Sequence, residues 1–204
     1  MQVSPKRVDL LVKGIGELVT GKGNLPSGGA ALGVVERLSD AAVAVHEGLI
    51  VDVGKADELC SAYEAAEVID ARGGVVLPGF VDAHTHPVFA GTREGEFEQR
   101  LAGKSYVEIA AAGGGISSSV RGVRESSKEV LLAKLLVRLD RFLALGTTTV
   151  EAKTGYRLSL EDELKCLEVI DEARAQHPVE LIPTFLGAHD YPLEFKDRKA
   201  EYVD

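Results

Sequence analysis

Short apolar runs separated by polar residues and glycine fill the chain up to about residue 75, a pattern that predicts β-strands joined by turns. Val8 to Val12 is one such run, and GKGNLPSGG from Gly21 to Gly29 reads as a flexible loop by composition. Ala41 to Val45 and Leu49 to Val53 flank His46, Glu47 and Gly48. This spacing predicts a hairpin in which the glycine takes a positive φ, and a histidine in such a turn reads as a solvated side chain. From Val75 to His86 the sequence VVLPGFVDAHTH is almost continuously apolar and then ends in polar residues. That predicts a strand buried on both faces, entered at Pro78 and Gly79.

Further along, the period changes. Ser105 to Ala112 reads as a helix stopped by Gly113, Gly114 and Gly115. Ser126 followed by Glu129 has capping-box spacing, after which Leu131, Leu132, Leu135, Leu136, Leu139, Phe142 and Leu143 form an apolar helical face that runs to Gly146. The β-branched stretch Thr147 to Ala152 predicts a strand. Ser159 opens another helix, with Leu160, Leu164, Leu167 and Ile170 on one side, and Val179 to Leu186 predicts a further strand. Strand, helix, strand, helix, strand is the order of a parallel α/β sheet, either doubly wound or closed as a barrel. The boundary between this part and the β-rich one is expected near residue 79, giving segments 1–79 and 80–204.

Composition removes several function classes. Apolar residues make up 45% and charged residues 27%, close to the averages of about 45–50% and about 25% for globular domains, so disordered and collagen-like chains are excluded. The most apolar helical stretch, Val130 to Leu145, contains Lys134, Arg138, Asp140 and Arg141, and a bilayer span needs about 20 mostly apolar residues. No membrane partner is therefore expected. The opening MQVSPKRVDLLV lacks the long apolar run of a signal peptide, and Cys60 and Cys166 are too few for a disulfide framework, so a cytoplasmic location is expected. With 32 acidic and 23 basic side chains the net charge is -9, which disfavours nucleic-acid binding.

The chemistry centres on His84 and His86 in DAHTHP. Alternate residues of a strand share a face, so two imidazoles can converge on one metal ion while Thr85 turns away. The pair ends an apolar strand, where parallel α/β folds place their active sites. His177, before Pro178 at a helix end, reads as structural. The glycines at 113–115 fit no phosphate-binding pattern and read better as a mobile loop near an active site.

GFVDAHTHPVFAGTREGEF, AAAGGGI, TTTVEAKTGYRL and PTFLGAHDYP, four segments in order, resemble the amidohydrolase superfamily and, within it, the imidazolonepropionase family. Pro87 departs from the apolar residue of that pattern. The resemblance implies a (β/α)8 barrel of the TIM type, preceded by a small β-sandwich-like domain. It also implies hydrolysis of the cyclic amide of 4-imidazolone-5-propanoate to N-formimino-L-glutamate, a step of histidine degradation. His84 and His86 match metal ligands for one divalent ion, zinc or iron. Arg93 matches a substrate-binding arginine, since a guanidinium can grip a propionate with two parallel hydrogen bonds. Its bland alternative is a surface ion pair with Glu94 or Glu96. Tyr156 and His189 match residues that touch the ring, His189 as a group able to polarise the carbonyl under attack. Lys153 corresponds to an ordinary lysine rather than a carboxylated, metal-bridging one. A homodimer is implied for the full-length parent.

Residues from Phe80 to Asp204 are about half of the roughly 250 that a complete barrel takes. The chain is therefore expected to be an N-terminal part, with the remaining ligands and the general base lying beyond Asp204, and to be inactive alone. Two other readings stay open: another deaminase or cyclic-amide hydrolase of the same superfamily, and a fragment without catalytic function.

Overall fold

A computed structural model of the chain describes residues 4–21 and 28–203. The loop expected at Gly21 to Gly29 lies largely outside them. Two compact units are present, Met1–Pro78 and Gly79–Asp204. Among the described residues no helix is long and apolar enough to cross a membrane.

In the first unit, β1 (Lys6–Thr20), β2 (Glu36–His46), β3 (Leu49–Lys55), β4 (Tyr63–Asp70) and β5 (Val75–Val76) form one mixed sheet, with α1 (Ala56–Ala62) between β3 and β4. The order is β3-β2-β1-β4, and β5 also pairs with β1. The β2–β3 hairpin turns through Glu47 at φ 51° and Gly48 at φ 76°, so the left-handed geometry expected at the glycine extends to its neighbour. Alternation along β2 divides the interior. Ala42 and Ala44 pack with Val8, Leu11 and Leu59 of α1, while Ala41 and Val43 pack with Ile15 and Leu18. The expected sandwich-like layering is replaced by a single sheet with a helix on one face. The reason is that β4 and β5 return parallel to β1 and extend its sheet instead of starting another.

The second unit contains β6 (Phe80–Thr85), α2 (Glu94–Leu101), α3 (Tyr106–Ala111), α4 (Ile116–Arg124), α5 (Lys128–Ala144), β7 (Thr147–Lys153), α6 (Leu160–Arg174), β8 (Glu180–Thr184) and α7 (Lys199–Val203). The run read as one strand from Val75 is thus two, β5 in the first sheet and β6 in the second, divided at Leu77–Gly79. The strands β6, β7 and β8 are parallel and lie in sequence order. Leu131, Leu135 and Leu139 of α5 and Cys166, Val169, Ile170 and Ala173 of α6 pack in one cluster with Val150, Ala152 and Leu181. Both crossover helices therefore cover the same face. One-sided cover of a sequential parallel sheet is the arrangement of a barrel wall, whereas a doubly wound sheet carries helices on both faces.

Three local expectations need correction. Helix α5 is capped by Ser127, whose hydroxyl accepts the Val130 N–H at 3.4 Å, while the Ser126 hydroxyl donates back to the Gly122 carbonyl. The capping box is at α3 instead, where Ser105 and Glu108 exchange backbone hydrogen bonds. In α6 the buried stripe is Glu163, Cys166, Val169, Ile170 and Ala173, and Leu160 and Leu164 are exposed. Strand β6 is not buried on both faces: Phe80 is 55% and Val81 67% exposed, because among the described residues β6 pairs with β7 alone and helices cover one side.

Candidate active site

The carboxyl ends of β6, β7 and β8 deliver the site. His84, His86, Arg93, Tyr156 and His189 all line one open cleft of about 590 Å³, together with Thr85, Phe89, Thr92 and Ser119. Each of the five residues singled out from the sequence is therefore placed in a single concavity. Thr85 was expected to turn away. It lines the cleft because the pairing register slips between Asp82 and Thr85, so strict alternation does not hold there.

Aromatic contacts tie four of these groups together. Tyr156 stacks on His86 with centroids 4.3 Å apart, and His189 stacks on the same imidazole at 5.1 Å. The His84 and His86 rings lie 5.5 Å apart, edge to face. Burial pushes the His86 imidazole below its ordinary pKa, and the neighbouring His189, His84 and Lys153 side chains push the same way against the Thr154 carbonyl. The neutral ring is the form that binds a metal. Its Nδ1 is buried and has no hydrogen-bond partner among the described residues.

Two imidazoles on one strand end fit part of a divalent-metal site, and catalytic zinc sites usually have three protein ligands. Among the described residues no cluster of three or more His, Cys, Asp or Glu side chains is placed to hold a metal.

Arg93 precedes α2 and its Nε lies 3.6 Å from Glu96 Oε2. That is one of the ion pairs weighed as its alternative role. The pair is partly exposed, so it leaves the guanidinium able to exchange partners. Glu96 also accepts the Gly115 N–H at 2.9 Å, which fastens the α3–α4 turn. The glycines at 113–115 are not among the residues lining the cleft. Lys153 pairs with Glu151, whose Oε1 also accepts the Thr184 hydroxyl at 2.7 Å. An ammonium suits that carboxylate, whereas an anionic carbamate would be repelled by it. His177 accepts the Val179 N–H and meets Asp140 at 3.2 Å, a local structural role.

Sequence reasoning missed Glu163 and Arg157, both buried, with Arg157 lining a small cavity shared with His86 and Tyr156. Glu163 accepts backbone N–H groups from Gly155, Arg157 and Leu158 at 2.7, 2.8 and 3.0 Å. Arg157 donates to the Val88 carbonyl at 2.8 Å, two residues beyond His86. An acid in the first turn of a helix ordinarily reads as a solvated partner of the helix dipole, so nothing in the sequence marked it as buried.

A sequence profile of the amidohydrolase family matches residues 67–112. The imidazolonepropionase of Symbiobacterium thermophilum is 50% identical over 206 residues, which cover 97% of this chain and 47% of that protein. Among solved structures, E. coli guanine deaminase is similar with a TM-score of 0.56 at 16% identity, over 85% of this chain and 36% of that one. An adenosine deaminase from Xanthomonas campestris, with bound zinc, is similar with a TM-score of 0.50 at 18% identity, over 89% of this chain and 43% of its own. At such identities the two structures speak for the fold alone. The chain spans about half the length of the curated relatives it matches. Over that half, the chain is similar by sequence to imidazolonepropionases, at 48–50% identity across nearly its whole length.

Proposed function

We propose that this chain carries metal ligands and substrate contacts of an imidazolonepropionase, which hydrolyses the ring amide of 4-imidazolone-5-propanoate to N-formimino-L-glutamate. In this reading β6, β7 and β8 are the first three strands of a (β/α)8 barrel, and His84 and His86 hold one divalent ion, zinc or iron. The observation that carries it is the convergence of His84, His86, Arg93, Tyr156 and His189 on one cleft from segments widely separated in sequence.

Each residue then has a physical task. Arg93 leaves Glu96 and grips the substrate propionate with two N–H donors, which fixes the far end of the molecule. Tyr156 offers a flat face to the ring, continuous with its stack on His86. His189 hydrogen-bonds the carbonyl under attack and draws off developing negative charge. A bound divalent ion supplies Lewis acidity at the reacting amide.

The test is ligand binding, since two imidazoles fall short of a three-ligand zinc set. Titration of the protein with 4-imidazolone-5-propanoate in the presence of zinc should show saturable binding. Arg93→Ala should weaken it by about 10- to 100-fold, as expected for a charge-assisted pair. Preference for guanine or adenosine, or binding indifferent to Arg93→Ala, would favour a deaminase of the same superfamily and overturn the proposal.

A further inference from the structure

Tyr156 sits on a loop whose backbone turns through positive φ at both ends. Gly155 has φ +108°, which a glycine adopts without strain, and Leu158, a non-glycine, has φ +56°. The leucine conformation is a strained one that persists where the surroundings over-determine it. Here the surroundings are one carboxylate. Glu163, 1% exposed, turns inward from the first turn of α6. Its Oε2 accepts the Gly155 N–H and its Oε1 accepts those of Arg157 and Leu158, so three of the four amides from 155 to 158 converge on it.

Tyr156 lies between these anchored residues. Gly155 also forms the seat for His189: a Cβ at Gly155 would lie 2.9 Å from the His189 Cβ and 3.0 Å from the Leu186 carbonyl oxygen. From the same loop, Arg157 reaches the Val88 carbonyl just past the histidine pair. One buried acid thus fixes the loop against which Tyr156, His189 and the segment after His86 are all set.

We infer that Glu163 is a positioning residue for the ring-binding face formed by Tyr156 and His189. It does not line the cleft and acts through the three amides it holds. A carboxylate suits the task because it is an acceptor only, with two oxygens for three donors. A glutamine in its place turns an N–H2 group toward at least one of those N–H donors.

Assigning this face to the substrate rests on the function proposed above, but the brace itself does not, so its test needs neither substrate nor metal. The five histidines can be followed by their ring-proton resonances in NMR spectra. In Glu163→Gln, the His86 and His189 signals should move at least half of the way to their positions in Tyr156→Ala. Leu11→Ala serves as the control, since it removes packing from the separate core of the first unit and should leave both signals in place. Unmoved signals in a folded Glu163→Gln protein overturn the inference.

Amide exchange in the unaltered protein supplies a second measurement should that variant not fold. The Gly155, Arg157 and Leu158 amides should exchange together, at least about 100-fold slower than an unstructured peptide. Exchange at the unstructured rate overturns the brace, whereas failure of imidazolone propanoate to bind overturns only the functional reading.

Discussion

Tyr156 lies over the His86 imidazole with the two ring planes 30° apart. A side chain with an apolar face and one hydroxyl therefore covers the histidine read as a metal ligand, and the two contributions can be separated. Tyr156→Phe should keep the stack and hold ligand affinity within about 3-fold, while Tyr156→Ala should weaken binding by about 10-fold, the worth of an aromatic contact with its buried area. Calorimetric titration of both variants checks this. Equal losses would assign the effect to the hydroxyl instead.

The Glu151 carboxylate is held below its ordinary pKa of 4.5, first by Lys153 and then by the Thr184 hydroxyl. A depressed carboxylate stabilises the folded state above its unfolded pKa and loses that contribution as pH falls through the folded value. The melting-temperature advantage of the native protein over Glu151→Gln should therefore be full near neutral pH and shrink below about pH 4.5. An advantage that grows on acidification would refute the pairing.

The two thiols should differ in reactivity. Cys60 is exposed, whereas Cys166 is buried, and burial raises its pKa against the opposing pull of Arg157. Iodoacetamide at pH 8 should alkylate Cys60 in the native protein and reach Cys166 only after denaturation, as intact-mass measurement will show. Native labelling of both would mean that α6 opens readily.

Leu135 is fully buried between α5, α6 and the sheet. Leu135→Ala should cost about 2–5 kcal/mol, read from denaturant midpoints. A cost below about 1 kcal/mol would show that the site collapses around the smaller side chain.

Much of this arrangement was legible in the sequence because it depends on local rules. The β2–β3 hairpin follows from the glycine at 48, α5 from its leucine period, and His84 and His86 from the end of an apolar strand, whereas Arg93, Tyr156 and His189 were marked only by the resemblance to the imidazolonepropionase family. What escaped depends on partners distant in space. Val75 and Val81 look alike as sequence, and their division between two sheets is decided by which strand each pairs with. In α6, Leu160 and Leu164 suggested the buried stripe, while the true stripe begins at a charged residue, Glu163, whose burial is tolerable because three loop amides satisfy it. The burial expected of β6 failed for the same reason: hydrophobicity states what a strand can bury, and neighbours decide what it does bury.

Strand β7 assigns its residues by parity. Val150 and Ala152 face the helices, and between and after them come Glu151 and Lys153, which belong to the opposite face. Substitutions at the first pair disturb the packed core, whereas substitutions at the second disturb one ion pair and its tie to Thr184. Laboratory evolution of this strand can therefore vary Glu151 and Lys153 at the expense of a single ion pair while Val150 and Ala152 are left fixed, so that the packed core is not put at risk.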